Sequence, residues 1–285
     1  MQLILGTANA GSKYSLNQDQ KLDKKNLIKI IKFAKKNKIK TYDTAPKYKN
    51  AEKILGSLSF NKINIITKIP NLTNKNLKSN ILKQVLKSKK NLKVKKLYGL
   101  LIHDIDFFKK KDSSEIVQII SEIKKIGFVK KIGFSVYDPE DIDFVLKYMK
   151  PDIIQIPLSL FDRRFIITKK IKKLHSLGIE IHVRSIFMKG LLLVTDNKIL
   201  HKFHGFNFFL KKFDKWCNKN GITKLQAAIN FIKTVKNIDG VVVGADSVDQ
   251  LKNIIHAFKN SSKRYPKKIN SKILEKYLDI RKWKI

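Results

Sequence analysis

The sequence predicts a single-domain α/β protein, a closed (β/α)8 barrel of the TIM type. Eight short apolar runs alternate with longer lysine-rich stretches of helical periodicity. The 285 residues are enough for such a barrel, which usually needs about 250. No low-complexity linker or shift in composition marks a second folding unit. A doubly wound open sheet is the competing architecture, but eight nearly even units favour closure.

The predicted strands are short, apolar and bounded by polar residues or glycine. They span residues 2–5, 41–43, 63–67, 98–102, 131–134, 153–156, 179–183 and 241–243. Glycines mark the turns that precede three of them: Gly127, Gly178 and Gly240.

The predicted helices carry apolar residues three and four apart, with lysines between them. They span residues 25–36, 51–58, 74–89, 113–126, 139–149, 165–177, 208–218, 224–234 and 248–258. The barrel is predicted to occupy residues 1–260, followed by a basic, partly helical tail over residues 261–285. The longest irregular stretch, 188–205, follows the seventh strand, where a loop of this size often covers a ligand.

The composition is strongly basic, with 61 Lys+Arg against 23 Asp+Glu and a formal net charge of +38. A nucleic-acid partner is the usual implication of such a charge. Here nearly all of the excess is lysine, spread over every predicted helix, whereas arginine is the residue suited to bidentate recognition of phosphates and bases. We therefore predict no specific nucleic-acid partner.

The chain has one cysteine, Cys217, so no intramolecular disulfide can form. No apolar run approaches the ~18 residues of a membrane span, and the N-terminal segment lacks the features of a signal peptide. These observations predict a cytoplasmic protein that does not enter a membrane.

Four polar residues fall at the ends of consecutive predicted strands or in the loops that follow: Asp43, Tyr48, Lys68 and His103. In a (β/α)8 barrel this position builds the active site. A nearby ammonium is expected to lower the pKa of a phenol, a carboxylate orients the ammonium, and an imidazole can bind a carbonyl oxygen. The set suits protonation of an oxygen while hydride reaches the carbon. His103, Asp104 and Asp106 also raise the alternative of a metal site, but no second histidine cluster accompanies them at ligand spacing, and no metal is predicted.

These residues, in this order and spacing, resemble the aldo-keto reductases. The resemblance spans about residues 3 to 257, and the Asp43-Thr44-Ala45 run with Tyr48 is similar to the signature of the family's second strand. It implies that Tyr48 is the general acid, that Lys68 lowers its pKa, that Asp43 pairs with Lys68, and that His103 positions a carbonyl substrate. It also implies NADP or NAD as cofactor, bound without a G-x-G-x-x-G fingerprint, which the chain lacks.

The same resemblance assigns residues to cofactor binding, and the implied set includes Asp43. Ser135 and Gln155 match positions that bind the nicotinamide carboxamide, and Gly6 and Thr7 follow the first strand. Arg184 replaces a frequent aromatic residue and is a candidate for stacking on the nicotinamide, whereas Ser185 is implied to bind the pyrophosphate. The remaining assignments are Gly244, Ala245, Ser247 and Gln250, in the loop that opens the last helix. NADP-specific members carry an arginine at the position of Gln250, so NAD and NADP both stay open.

Three longer segments, 6–17, 155–165 and 180–193, are similar to a bacterial branch of the family associated with surface-polysaccharide and nucleotide-sugar biosynthesis. The implied function is reduction of an aldehyde or ketone, a small-molecule partner such as a keto- or aldehydo-sugar or nucleotide sugar. The alternative function is a non-catalytic nucleotide-binding barrel that serves as a redox-sensing regulatory subunit.

Overall fold

The structure is a closed barrel of eight parallel strands in the order β1 to β8. This computed structural model describes residues 1–10, 16, 22–58, 63–72, 76–194, 202–269, 275–281 and 283. Each strand pairs with its neighbours in the sequence, and β8 closes the barrel on β1 through Leu3 opposite Val241. The predicted (β/α)8 fold is confirmed.

All eight predicted strands are present. Five of them are one residue longer than predicted and β5 is three residues longer, because ladder pairing continues beyond the apolar runs. Their bounds are β1 Gln2–Gly6, β2 Thr41–Asp43, β3 Asn64–Ile69, β4 Leu97–Ile102, β5 Val129–Ser135, β6 Ile153–Pro157, β7 Glu180–Arg184 and β8 Gly240–Val243. The strands are buried on both faces, as helix-covered parallel strands are.

The helices cover the outside of the barrel. Their bounds are α1 Lys24–Lys36, α2 Ala51–Gly56, α3 Leu77–Leu92, α4 Ile105–Lys110, α5 Ser113–Lys125, α6 Pro139–Tyr148, α7 Arg164–Ile167, α8 Lys170–Ser176, α9 His204–Lys219, α10 Lys224–Thr234, α11 Val248–Lys259 and α12 Glu275–Leu278, with a 3-10 turn at Leu191–Leu193.

Two helix predictions are wrong. The single helix predicted over 165–177 is two helices, because Lys169 adopts a left-handed backbone with φ of 58° between α7 and α8. Helix α4 was not predicted. It forms where Asp104 accepts a hydrogen bond from the Asp106 backbone N–H at 3.0 Å and caps the first turn. The start of the helix predicted over 74–89 lies partly outside the described residues, and α3 extends to Leu92.

The helix faces explain the high lysine content. In α1, Leu27, Ile30, Ile31 and Ala34 are buried against the barrel while the lysines of the same helix face solvent. In α5, buried isoleucines follow the predicted spacing, and Asp112 caps the first turn. The dispersed lysines therefore form solvated outer faces, as predicted from the sequence.

The described residues of the tail pack against the start of α9. Helix α12 is followed by buried Asp279 and Ile280, and the Tyr277 hydroxyl accepts a hydrogen bond from the Gly205 N–H at 3.1 Å. The Trp283 ring packs edge-on against Phe203 with centroids 4.8 Å apart. A division of the chain at residue 260 stays a prediction. None of the described helices combines the length and the apolar character of a bilayer-spanning segment.

Candidate active site

The barrel brings the four predicted polar residues together. Asp43 ends β2, Lys68 lies near the end of β3, and His103 directly follows β4. Tyr48 lies in the turn between β2 and α2, where its backbone N–H donates to the Ala45 carbonyl at 3.0 Å. The carboxyl ends of three neighbouring strands thus converge at one end of the barrel.

Asp43 and Lys68 form a buried ion pair. Lys68 Nζ lies 2.5 Å from Asp43 Oδ1 and donates to the Thr44 carbonyl at 3.1 Å. Gln155 Nε2 donates to the second carboxylate oxygen of Asp43 at 2.9 Å. Burial lowers the pKa of Lys68 below its ordinary value, and the Asp43 charge opposes that shift. Both carboxylate oxygens are therefore occupied, and the ammonium is fixed in position.

Tyr48 lies above this pair. Lys68 Nζ is 5.4 Å from the centroid of its ring, and the phenol is half-buried. Burial raises the pKa of Tyr48 above its ordinary value of 10, the Asp43 carboxylate adds to the rise, and Arg184 opposes it. The net shift is opposite to the lowering predicted from the sequence, because desolvation of the phenol outweighs the nearby positive charge. Tyr48 is therefore protonated throughout the physiological pH range.

His103 faces the ring of Tyr48. The two ring centroids are 5.7 Å apart with the planes at 89°. Burial lowers the pKa of His103 to about 2, and Lys68, Lys47 and Arg184 add to the shift. Its Nδ1 atom is buried without a hydrogen-bond partner among the described residues. The imidazole is therefore neutral and can donate one N–H to a bound oxygen.

The low pKa of His103 predicts a pH dependence of stability. In the unfolded chain the imidazole titrates at about 6.5, so below that pH only the unfolded state binds the proton. Each further unit of decrease in pH then lowers the free energy of unfolding by about 1.4 kcal/mol. We expect that free energy to fall by about 2 kcal/mol between about pH 6.5 and pH 5. Urea titrations at both pH values measure this. The fall should be smaller by that amount in His103→Asn, and equal pH slopes in the two proteins would contradict the assignment.

A cleft of about 500 Å³ opens beside these residues. It runs from Asp43, Tyr48 and Gln155 at one end to the first turn of α11 at the other. Of the residues predicted to bind a cofactor, seven line it: Gly6, Asp43, Gln155, Arg184, Ser185, Gly244 and Gln250. A Cβ atom added to Gly244 would meet no atom within 4 Å, so the backbone there borders open space.

Four predicted cofactor residues do not line the cleft, because each is used within the fold. Thr7 is buried and its hydroxyl bonds to Thr44 Oγ1 at 2.9 Å. Ser135 is buried in β5 opposite Gln155, and Ala245 is also buried. Ser247 Oγ accepts the Gln250 backbone N–H at 3.1 Å and caps α11. Contact between these side chains and a cofactor stays a prediction.

The polar lining residues of the cleft that the sequence did not assign to cofactor binding include Asn9, Lys189, Thr223, Lys224, Asp246 and Asn253. Asn9 Nδ2 donates to the Ala245 carbonyl at 2.6 Å and to Asp246 Oδ1 at 2.8 Å, which joins the loops after β1 and β8. Asn9 is a polar residue three positions after β1, and this position is the sequence signal that could have identified it. Thr223 and Lys224 lie at the start of α10 and do not follow a strand, so the rule that active-site residues follow strand ends does not identify them.

The loop after β7 has an unusual backbone. Ser185, Met188 and Lys189 have φ values of 59°, 49° and 51°, which non-glycine residues adopt rarely. Ser185, Lys189 and Gly190 line the cleft. This part of the predicted covering loop therefore lies at the site, whereas residues 195–201 of that loop lie outside the described residues.

The two arginines that follow β6 have partners within the fold. Arg164 forms an ion pair with Asp162 at 2.9 Å, and the Arg163 guanidinium donates to the Leu160 carbonyl at 2.9 Å. Across the described ranges, no group of three or more His, Cys, Asp or Glu side chains is arranged to hold a metal ion.

A family model described as "Aldo/keto reductase family" matches residues 2–273. The chain belongs to the aldo/keto reductase family. Its members are oxidoreductases, so the polar cluster at the strand ends is the candidate catalytic centre of an oxidoreductase. The resemblance inferred from Asp43, Tyr48, Lys68 and His103 is thereby confirmed at the level of the family.

Solved structures show the same fold at low identity. A glycerol dehydrogenase from Gluconobacter oxydans is 22% identical, with a TM-score of 0.71 over 91% of this chain and 87% of that one. The holo form of an aldo-keto reductase from Bacillus halodurans is 18% identical, with a TM-score of 0.71 over 95% of each chain. A putative aldo-keto reductase from Pseudomonas aeruginosa is 16% identical, with a TM-score of 0.67 over 90% and 88%. No curated protein matches the chain in sequence.

Proposed function

We propose that this protein reduces an aldehyde or ketone with a nicotinamide dinucleotide, and that Tyr48 is the proton donor. The observation that carries the proposal is the buried Lys68–Asp43 pair beneath Tyr48, with neutral His103 edge-on to the phenol. A protein that only bound nucleotide would have no use for a proton donor placed over a fixed ammonium. The cofactor, when bound, supplies the hydride.

Tyr48 holds the transferred proton on its hydroxyl. A phenol with its ordinary pKa of about 10 is protonated at neutral pH, and burial raises the pKa of Tyr48 further, so the donor is in the required state before the substrate binds. His103 donates an N–H to the same carbonyl oxygen and orients it toward Tyr48. As the proton leaves, the Lys68 ammonium stabilises the phenolate that forms, and Asp43 and Gln155 hold the ammonium in place.

The cleft fits a dinucleotide in size and in the chemistry of its two ends. Its volume of about 500 Å³ lies within the usual range for ligand sites. Gln155 lies at the reacting end, where a carboxamide needs a polar partner. Gly244 borders open space at the other end, next to the first turn of α11, where backbone N–H groups favour phosphate.

Gln250 is proposed to set the choice between NAD and NADP. It lines the cleft, is uncharged, and its Oε1 already accepts the Asp246 N–H at 2.8 Å. Lys252, the cation two residues further along α11, does not line the cleft. We therefore expect little discrimination between the cofactors, or a mild preference for NAD.

Replacing Gln250 with arginine should shift selectivity toward NADP by about 1.5–3 kcal/mol, the usual value of a hydrogen bond to a charged group. The dissociation constants of NADH and NADPH, measured at several salt concentrations, test this. Gln118→Arg is the matched control, since it adds the same charge on the exposed face of α5. An equal shift in both variants would show that only the overall charge matters. A parent that prefers NADPH a hundredfold at every salt concentration would mean that another residue binds the phosphate.

The proposed substrate is a keto- or aldehydo-sugar, free or nucleotide-activated, as the similarity of segments 6–17, 155–165 and 180–193 implies. We also propose that the protein acts in the cytoplasm, because a chain with a single cysteine cannot form an intramolecular disulfide. The test is turnover of a panel of simple aldehydes, ketoses, aldoses and nucleotide sugars with each dinucleotide. We expect kcat/KM to be highest for a sugar, and a higher value for simple aldehydes than for any sugar would contradict the substrate proposal.

A further inference from the structure

Arg184 places a guanidinium group in the catalytic end of the cleft. It is the last residue of β7, is half-buried, and lines the cleft together with Asp43 and Tyr48. Two neighbours hold the group in place: Nη2 donates to the Val136 carbonyl at 2.9 Å, and the guanidinium lies 4.0 Å from the centroid of the Tyr137 ring. The group is therefore ordered before any ligand binds.

The hydrogen-bonding capacity of Arg184 is mostly unused. A guanidinium has five N–H donors, and within the described part of the chain the only other hydrogen bond is a long one of 3.4 Å from Nη1 to Ser185 Oγ. No carboxylate of the described residues lies within ion-pair distance of it. Burying a cation without a counter-ion is unfavourable, so an ordered guanidinium of this kind is suited to binding an anion.

A second arginine contacts the same tyrosine ring, but it has the acidic partners that Arg184 lacks in the described ranges. Arg281 lies 3.7 Å from the centroid of the same ring and pairs with Asp279 at 2.8 Å and with Asp138 at 3.6 Å. Arg164, the next neighbour, is compensated by Asp162. Of these three arginines, Arg184 alone faces the cleft, and it alone has no acidic partner among the described residues.

The positive charge of Arg184 lowers the pKa values of the proposed catalytic residues. Burial is the largest cause of the pKa shifts of Tyr48, Lys68 and His103, and Arg184 lowers the pKa of each of them. A cation that acts on all three lies near the position of the substrate carbonyl. The predicted phosphate loop, with Gly244 and Gln250, forms the other end of the cleft.

We propose that Arg184 binds an anionic group, a carboxylate or a phosphate, on the carbonyl substrate. This inference rests on the proposed function and narrows its substrate class to acidic carbonyl compounds, such as sugar phosphates, nucleotide sugars or oxo acids. Lys47 is exposed and contributes to the lowered pKa of His103, so it adds positive charge near the proposed position of the substrate carbonyl. The net charge of +38 steers anions toward the site.

The test compares paired substrates, one anionic and one neutral. The pairs are 4-carboxybenzaldehyde with 4-carbamoylbenzaldehyde, and glyceraldehyde 3-phosphate with glyceraldehyde, measured at physiological ionic strength to screen the long-range field. The readout is the ratio of kcat/KM for the anionic member to that for the neutral member. We expect this ratio to favour the anion in at least one pair, and to fall by roughly 10- to 100-fold in Arg184→Met, as for loss of a charged hydrogen bond.

The control is Lys147→Gln, which removes one positive charge from the exposed face of α6 and should leave the ratio unchanged. Arg184→Lys keeps the charge but loses the planar fork, and an intermediate ratio is expected. No preference for the anion in the parent, or an unchanged ratio in Arg184→Met, would overturn the proposal. A loss of NADH affinity in Arg184→Met with an unchanged ratio would assign the guanidinium to the cofactor instead.

A binding measurement keeps the inference separate from the proposed function. Calorimetry should show that benzoate binds the NADH-loaded parent more tightly than benzamide does, and that this difference disappears in Arg184→Met. Equal affinities in the parent would refute anion recognition by Arg184 even if aldehydes are reduced. A clear benzoate preference without turnover of any carbonyl would support the anion site and reject the reductase.

Discussion

Replacing Tyr48 with phenylalanine should lower kcat by roughly 10²–10⁴, the usual contribution of a positioned general acid. The substitution keeps the ring, and with it the edge-on contact with His103 and the position over Lys68. Folding and dinucleotide binding should therefore be retained. Steady-state kinetics together with a fluorescence titration of NADH separate the loss of turnover from any loss of binding.

The matched control for this experiment is Tyr148→Phe, which removes a hydroxyl from an exposed tyrosine of α6 that does not line the cleft. It should leave kcat unchanged. Turnover by Tyr48→Phe within a few fold of the parent would show that another group supplies the proton. Loss of NADH binding in Tyr48→Phe would show instead that the phenol supports the cofactor site.

Replacing Lys68 with methionine should destabilise the fold by about 3–5 kcal/mol, because it leaves Asp43 as an uncompensated buried charge. Lys68 is 1% exposed and Asp43 is 3% exposed, so little of the unpaired carboxylate would be hydrated. Urea unfolding of the parent and of the variant measures the difference in the free energy of unfolding. The variant should also lose activity, since no ammonium remains to stabilise the phenolate.

The double variant Asp43→Asn/Lys68→Met removes both charges and should recover most of the lost stability, but no activity. This outcome would separate the structural cost of the unpaired carboxylate from the chemical role of the ammonium. A single variant Lys68→Met as stable as the parent would contradict a tightly coupled buried pair. A double variant as unstable as the single one would point to lost packing of the lysine side chain.

The barrel could be predicted because its signals are local. Each strand is a short apolar run between amphipathic helices, and chain order alone dictates which strands pair in an eight-fold closed barrel. The same logic placed Asp43, Lys68 and His103 together, since residues at the ends of neighbouring parallel strands share one face. The amphipathic lysine pattern of α1 and α5 likewise predicted which helix faces contact solvent.

Contacts between distant segments could not be predicted from local pattern. Gln155 donates to Asp43 across 112 positions of sequence, and Arg281 reaches Tyr137 from the far end of the chain. The missed break between α7 and α8 depends on the backbone of Lys169, whose left-handed φ a lysine does not signal. Each of these features arises from tertiary packing rather than from propensity.

The predicted lowering of the Tyr48 pKa is wrong, and its cause is informative. Counting charges near the phenol predicts a lowered value, but burial depends on how the loops close over the site. In the structure, desolvation dominates and raises the pKa. The phenol is therefore a donor that stays protonated, and the ammonium of Lys68 matters after the proton has left.

The reaction proposed for this barrel is hydride transfer to a carbonyl group with a Tyr48-dependent proton transfer. A single-turnover experiment tests it most directly: the protein is loaded with one equivalent of NADH or NADPH and mixed with an excess of aldehyde or keto-sugar, and the reduced-nicotinamide absorbance is followed. We expect a carbonyl-dependent loss of that absorbance with formation of the alcohol, slowed at least a hundredfold in Tyr48→Phe. Tight binding of the dinucleotide with no loss of absorbance for any carbonyl would contradict it and favour a non-catalytic, redox-sensing barrel.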